Sequence, residues 1–157
     1  MTLVLFLAIV AVAAASGAWF KPDLWFRGLR KPAWNPPDWA FGVVWPILYV
    51  AIAVAGWLVW EESAGQWTPA MTFWTLQIVL NSAWTWLYFG RHHQGLALAD
   101  SLAMLGAIVG FIATSYAQSP LAALLFVPYA VWVAFACILN ATILRLNPAP
   151  NGTAEMR

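Results

Sequence analysis

Amide and aromatic side chains recur at helical spacing inside runs that are otherwise apolar. Gln77, Asn81, Trp84 and Tyr88 follow at intervals of four, three and four, Phe41, Trp45 and Tyr49 at intervals of four, and Tyr129, Trp132, Ala136 and Asn140 repeat the pattern near the carboxyl end. Residues three and four apart share a helix face, so each set forms one stripe. Indole and phenol rings can stack on or edge a flat guest, and a carboxamide offers donors and acceptors to a polar rim. This is the chemistry of binding. No nucleophile and base accompany these stripes, so covalent catalysis would have to borrow its reactivity from a ligand. Plain core packing fits the same spacing, with Gln77 and Asn81 as interhelical hydrogen bonds of about 1 kcal/mol each.

Asp100 is the charged residue that lies clearly within an expected span, about one and a half turns into the fourth helix. A carboxylate there is a functional candidate by default. Its nearness to the interface makes an ion pair with Arg91, Arg145 or a loop histidine the first expectation. His92 and His93 are adjacent, a poor arrangement for one metal, and no cysteine or carboxylate cluster stands beside them, so no metal site is expected. Cys137 is the single cysteine and reads as a small core residue. With no histidine in any apolar run, a b-type haem protein is disfavoured.

These residues need elements to position them. Thr2 to Phe20, Trp39 to Trp60, Thr68 to Gly90 and Ser101 to Leu144 hold no charged residue. A helix crosses about 30 Å of hydrocarbon in roughly 20 residues. The fourth run is too long for one crossing and breaks at Gln118-Ser119-Pro120, because proline readily opens a helix. The chain is therefore expected to be an all-α integral membrane protein of five transmembrane helices, at about 2–20, 39–60, 68–90, 95–117 and 120–144. Residues 1–147 would form a single domain, followed by a disordered tail at 148–157. A composition of 63% hydrophobic and 8% charged residues excludes an ordinary soluble domain, which carries about 25% charge.

Five crossings sort the charges. Lys21, Arg27, Arg30 and Lys31 fall in the first loop, Arg91 in the third, and Arg145 and Arg157 at or beyond the last helix. All then share one side, which places the carboxyl terminus in the cytoplasm and the amino terminus outside. The net charge of +1 reports topology here, and no nucleic-acid partner is expected. Leu3 to Val12 resembles a signal-peptide core, but no basic residue precedes it and the apolar run continues to Phe20, so cleavage is not expected. Ala11, Ala14, Ala15 and Ala18, together with Gly106 and Gly110, mark faces where helices can approach closely, within the chain or in a dimer.

The first loop, 21–38, is basic, aromatic and stiffened by Pro22, Pro32, Pro36 and Pro37. An interfacial helix accounts for its first half. The turn Trp34-Asn35-Pro36-Pro37 is more rigid than that requires, since proline fixes φ and restricts the residue before it, and the loop reads as a structured lid.

The chain resembles the TspO/MBR family. The resemblance is carried by KPAWNPPDW in the first loop, VVWPILY in the second span, QIVLNSAWTWLYFG in the third, GLALAD opening the fourth and LLFVPYAVWVAFACILNATILRLN in the fifth. It implies a five-helix bundle, usually dimeric, whose pocket beneath the first loop binds porphyrin. Its implied ligand-binding residues are Trp45, Tyr49, Asn81, Trp84, Trp132 and Ala136, with Trp34 and Asn35 in the lid. The expected function is a membrane receptor or sensor for a tetrapyrrole such as protoporphyrin IX, regulating tetrapyrrole metabolism or a stress response. Porphyrin would bind as a ligand, with no covalently attached cofactor. Light-dependent porphyrin degradation, with Trp45 and Trp132 taking part, and porphyrin or sterol transport are the alternatives. Ala141 stands where the sterol-recognition pattern needs Tyr, which weakens the sterol reading. The resemblance also implies a homodimer, and a bacterial cell membrane is the expected address.

Overall fold

A computed structural model describes residues 1–20 and 22–148; Lys21, residues 149–157 of the tail expected to be disordered at 148–157, and the side chain of Ala18 lie outside the described residues. Every regular element among the described residues is helical: α1 (Thr2–Trp19), α2 (Leu24–Gly28), α3 (Asp38–Glu62), α4 (Pro69–Thr85), a π-helical turn (Trp86–Gly90), α5 (Gln94–Ser115) and α6 (Pro120–Leu146). Local chemistry sets the starts. Thr68 Oγ1 accepts from Met71 N at 3.3 Å with Pro69 in the first turn, and Pro120 opens α6 as the broken fourth run required.

α3, α5 and α6 are long and apolar enough to cross a membrane, while the apolar stretch of α1 over Thr2–Gly17 is shorter. α4 runs 17 residues before the π turn extends it. The third apolar run is thus one α-helix that changes pitch, where the sequence predicts an unbroken helix to residue 90. The carbonyls of Trp86 and Leu87 accept from Arg91 N at 2.8 Å and His93 N at 3.0 Å as the chain leaves this turn.

The long helices close into a ring. α1 packs on α3 and α4, α3 on α6, α6 on α5, and α5 on α4. Ile52, Ile108, Phe111, Phe126, Tyr129 and Val133 fill the interior, with Phe111 and Phe126 stacked at 3.9 Å. Two glycines permit close approach. A Cβ on Gly56 would lie 2.4 Å from Nε1 of Trp74, whose indole donates to Ile52 O at 2.8 Å. On Gly110 it would lie 2.6 Å from the Phe73 ring, so this part of the small-residue stripe packs within the chain. Gly106 has nothing within 4 Å. α1 turns Phe6, Val10 and Ala13 inward and leaves Val4, Leu5 and Val12 on the outer surface.

One end of the ring gathers the loops that carry Arg27, Arg30, Lys31 and Arg91 together with the end of α6. Asp23 Oδ2 meets His92 Nε2 at 2.9 Å, and the Asn147 side chain accepts from Arg30 N and donates to Arg30 O, each at 2.9 Å. At the opposite end, Glu61 accepts from Thr2 and Glu62 from Ser119. Among the described residues the Lys and Arg side chains therefore lie at one end, with Glu61 and Glu62 at the other.

The expected interfacial helix in the first loop is α2. Asp23 caps it, accepting from Phe26 N at 3.0 Å. That backbone bond first, and His92 after it, hold the Asp23 carboxyl below its ordinary value of 3.8. Because the folded state favours the carboxylate, its contribution is present above the ordinary value and is lost as pH falls through the lowered one. Hydrogen exchange across α2, corrected for intrinsic rates, is expected to accelerate in that acid range. Asp23→Ala should exchange quickly at neutral pH already; equal protection in the two proteins at neutral pH would contradict a capping role.

Candidate functional site

Three stripes meet in one hydrogen-bonded hub. Tyr49 on α3 donates to Asn81 Oδ1 on α4 at 3.1 Å, and Asn81 Nδ2 donates to the hydroxyl of Tyr129 on α6 at 3.3 Å. The Tyr129 hydroxyl donates to Gln77 Oε1 at 3.0 Å, with Met104 Sδ of α5 at 3.3 Å. Gln77, Asn81 and Tyr129 are buried, and inside an apolar bundle such groups must find partners among themselves. Trp45 lies against Tyr49 at 5.3 Å and edge-on to Tyr129 at 6.4 Å. Trp45, Tyr49 and Asn81 are thereby brought together.

Trp132 and Trp34 belong to a neighbouring arrangement. Trp132 meets Phe41 edge-on at 5.6 Å and stacks with Phe135 at 5.8 Å, and Phe135 receives the edge of Trp34 at 5.7 Å. This aromatic file borders an open groove of about 640 Å³ between α3 and α6, lined by Pro36, Val44, Ile47, Leu48, Val127, Pro128, Val131, Trp132 and Phe135. Pro36 brings the first loop over one end of it. Asn35 spends its side chain locally, donating to Pro36 O at 2.9 Å, which rigidifies the turn. Ala136 follows Phe135 on α6 and is half-buried.

Trp84 belongs to a third group. It stacks on Tyr88 at 4.9 Å and meets Phe89 edge-on at 5.7 Å, while Trp25 and Phe26 of α2 pack their edges against Tyr88 at 6.0 Å. These contacts seat α2 on the π turn.

Asp100 does not make the expected ion pair. Among the described residues the ion pair present joins Asp23 to His92, and Asp100 Oδ2 is buried without a partner. His92 is taken up by Asp23 and by stacking on Trp25 at 4.2 Å, and His93 stands at the start of α5. Sequence reasoning missed Met104 in the hub and the aliphatic groove residues. Phe135 carried a signal that could have found it, lying three residues beyond Trp132 on a helix.

The sequence matches the TspO/MBR family over residues 3–146. It is 41% identical to the human translocator protein over 126 residues, 78% of this chain and 75% of that protein. It is 36% identical over 143 residues to the tryptophan-rich sensory protein of Cereibacter sphaeroides, covering 90% and 89% of the two chains. Protein CrtK of Rhodobacter capsulatus is 35% identical over 143 residues, 88% of each.

Proposed function

This chain belongs to the TspO/MBR family of membrane proteins, and we propose that it is a receptor for a planar tetrapyrrole, protoporphyrin IX first, bound at the α3–α6 seam beneath the first loop. The observation that carries this reading is the groove with Trp132 on its border. Its volume of about 640 Å³ falls within the roughly 300–1,000 Å³ of ligand sites, and apolar walls with few polar groups are their usual character. Trp45 and Tyr49 follow Val44 and Leu48 of the groove wall on α3 and would extend an aromatic surface from the seam, while Asn81 would meet a guest by giving up its bonds to Tyr49 and Tyr129. Arg27, Arg30 and Lys31 in the loop can meet porphyrin propionates. The bilayer topology belonging to this reading has five crossings, α1 and the extended α4 included, with the basic end cytoplasmic and the amino terminus outside. We further propose a bacterial cell membrane as its location and a homodimer as its assembly.

Protoporphyrin IX titrated into detergent-solubilised protein is expected to quench tryptophan fluorescence saturably. Trp132→Phe should weaken the fitted affinity about threefold to tenfold, the worth of one aromatic contact of about 0.5–1.5 kcal/mol. Superimposable binding curves for the two proteins would mean partitioning into detergent and not a site. Trp132 beside the groove also favours a second reading, breakdown of the photoexcited porphyrin with dissolved dioxygen as the oxidant. Illuminating the complex and following the porphyrin absorbance tests it: bleaching that Trp132→Phe slows supports breakdown, and bleaching equal to that of free porphyrin in detergent rejects it.

A further inference from the structure

We propose that Asp100 and Asn140 hold an internal water molecule between α5 and α6, a binding site separate from the groove. Asn140 is 3% exposed, and both its Oδ1 and Nδ2 are buried without a hydrogen-bond partner. Asp100 Oδ2 is in the same condition. Inside a bilayer an unpaired polar group costs several kcal/mol, so three such atoms near one end of a bundle call for a guest.

Helix register brings them to the same end of the α5–α6 pair, about one turn apart. Asp100, Met104, Ala107 and Phe111 follow at intervals of four, three and four on α5. Phe111 stacks on Phe126, and Met104 Sδ lies 3.3 Å from the Tyr129 hydroxyl. α6 runs antiparallel, so this stripe, continued by one turn, sets Asp100 opposite residues near Val133 and Cys137, with Asn140 about one turn beyond. Each residue is six positions from its helix end, Asp100 from Gln94 and Asn140 from Leu146, about 9 Å inside the basic end at 1.5 Å per residue.

The identity of the guest follows from the donors and acceptors. Two orphaned oxygens need hydrogens, and the orphaned Nδ2 needs an acceptor. Water donates twice and accepts, satisfying all three, and about three bonds is the usual number for a buried water. A metal cation would satisfy the oxygens and leave the Nδ2 hydrogens facing a positive charge. The consequence is an intramembrane carboxylate hydrated from the basic end.

Infrared difference spectra of the full chain in lipid nanodiscs, H₂O against D₂O, read this directly. A water stretching band that is lost in both Asp100→Leu and Asn140→Leu is expected, with Tm lowered by about 3–6 °C in Asn140→Leu. A Tm raised by Asn140→Leu, with no water band in the wild type, would mean a dry site and would overturn the proposal. A sodium-dependent rise in Tm that choline chloride does not reproduce, and that Asp100→Asn abolishes, would replace water by a cation. Should Asn140→Leu fail to fold, loss or persistence of the band in Asp100→Leu decides alone.

Discussion

Gly56→Ala is expected to lower Tm by about 4–8 °C, although alanine is the better helix former. The gain in propensity is about 1 kcal/mol. Against it stands a methyl placed 2.4 Å from Nε1 and 2.5 Å from Cε2 of the Trp74 indole, and 3.0 Å from Phe6. Neither ring is the loose end of a flexible side chain. Overpacking of this kind costs about 1–3 kcal/mol, and moving the indole also endangers its bond to the Ile52 carbonyl, worth about 1 kcal/mol. The net loss is about 2 kcal/mol, at about 2–4 °C per kcal/mol for a chain of this length. Gly56→Leu should not accumulate as folded protein, because α1, α3 and α4 meet at this point. Thermal unfolding in detergent measures the effect. A smaller ring in Gly56→Ala/Trp74→Phe should recover part of the loss, and a Gly56→Ala protein as stable as the wild type would show that the indole does not lie on this glycine.

Tyr129→Phe is expected to cost about 2 kcal/mol, again about 4–8 °C, while removing only one oxygen. That hydroxyl is the partner of both Asn81 Nδ2 and Gln77 Oε1. Gln77 Nε2 already lacks a partner, so the substitution leaves a fully buried carboxamide unpaired at both ends. Membrane hydrogen bonds taken singly average only about 0.6 kcal/mol, and the larger cost expected here comes from stranding the partners. Gln77→Leu in the same chain should therefore recover about half of the lost stability. Additive losses in the double variant would mean that the two side chains do not share a bond.

The helices were largely legible in the sequence because membrane insertion writes them in composition. Uncharged runs and Pro120 placed their limits within a few residues, and the loop prolines announced a structured turn. The hub was half legible: spacing put Gln77, Asn81 and Tyr129 on inner faces, but which hydroxyl meets which amide depends on helix rotation, which periodicity does not encode. The groove was not legible. Its walls are mostly aliphatic, and valine and leucine facing a hollow look the same in sequence as valine and leucine facing lipid. The π turn was hidden for a similar reason, since Trp86–Gly90 is as apolar as the helix before it and its pitch accompanies the seating of Tyr88 under Trp25 and Phe26. Asp100 misled in another way. Charge counting suggested a cationic partner, whereas His92 pairs with Asp23, Arg91 lies over the Trp86 ring, and Arg145 on α6 makes no ion pair among the described residues.

The two bonds between Asn147 and the Arg30 backbone fasten the last residue of the α6 cap to the middle of the first loop. α6 is also one wall of the groove, and Pro36 of that same loop overhangs it. Wall and cover are thus tied by a short tether, and a guest that pries α6 from α3 must drag the cover with it. Occupancy deep in the seam would then be felt at the charged surface as a shift of Arg27, Arg30 and Lys31, where a soluble protein could sense it without touching the guest.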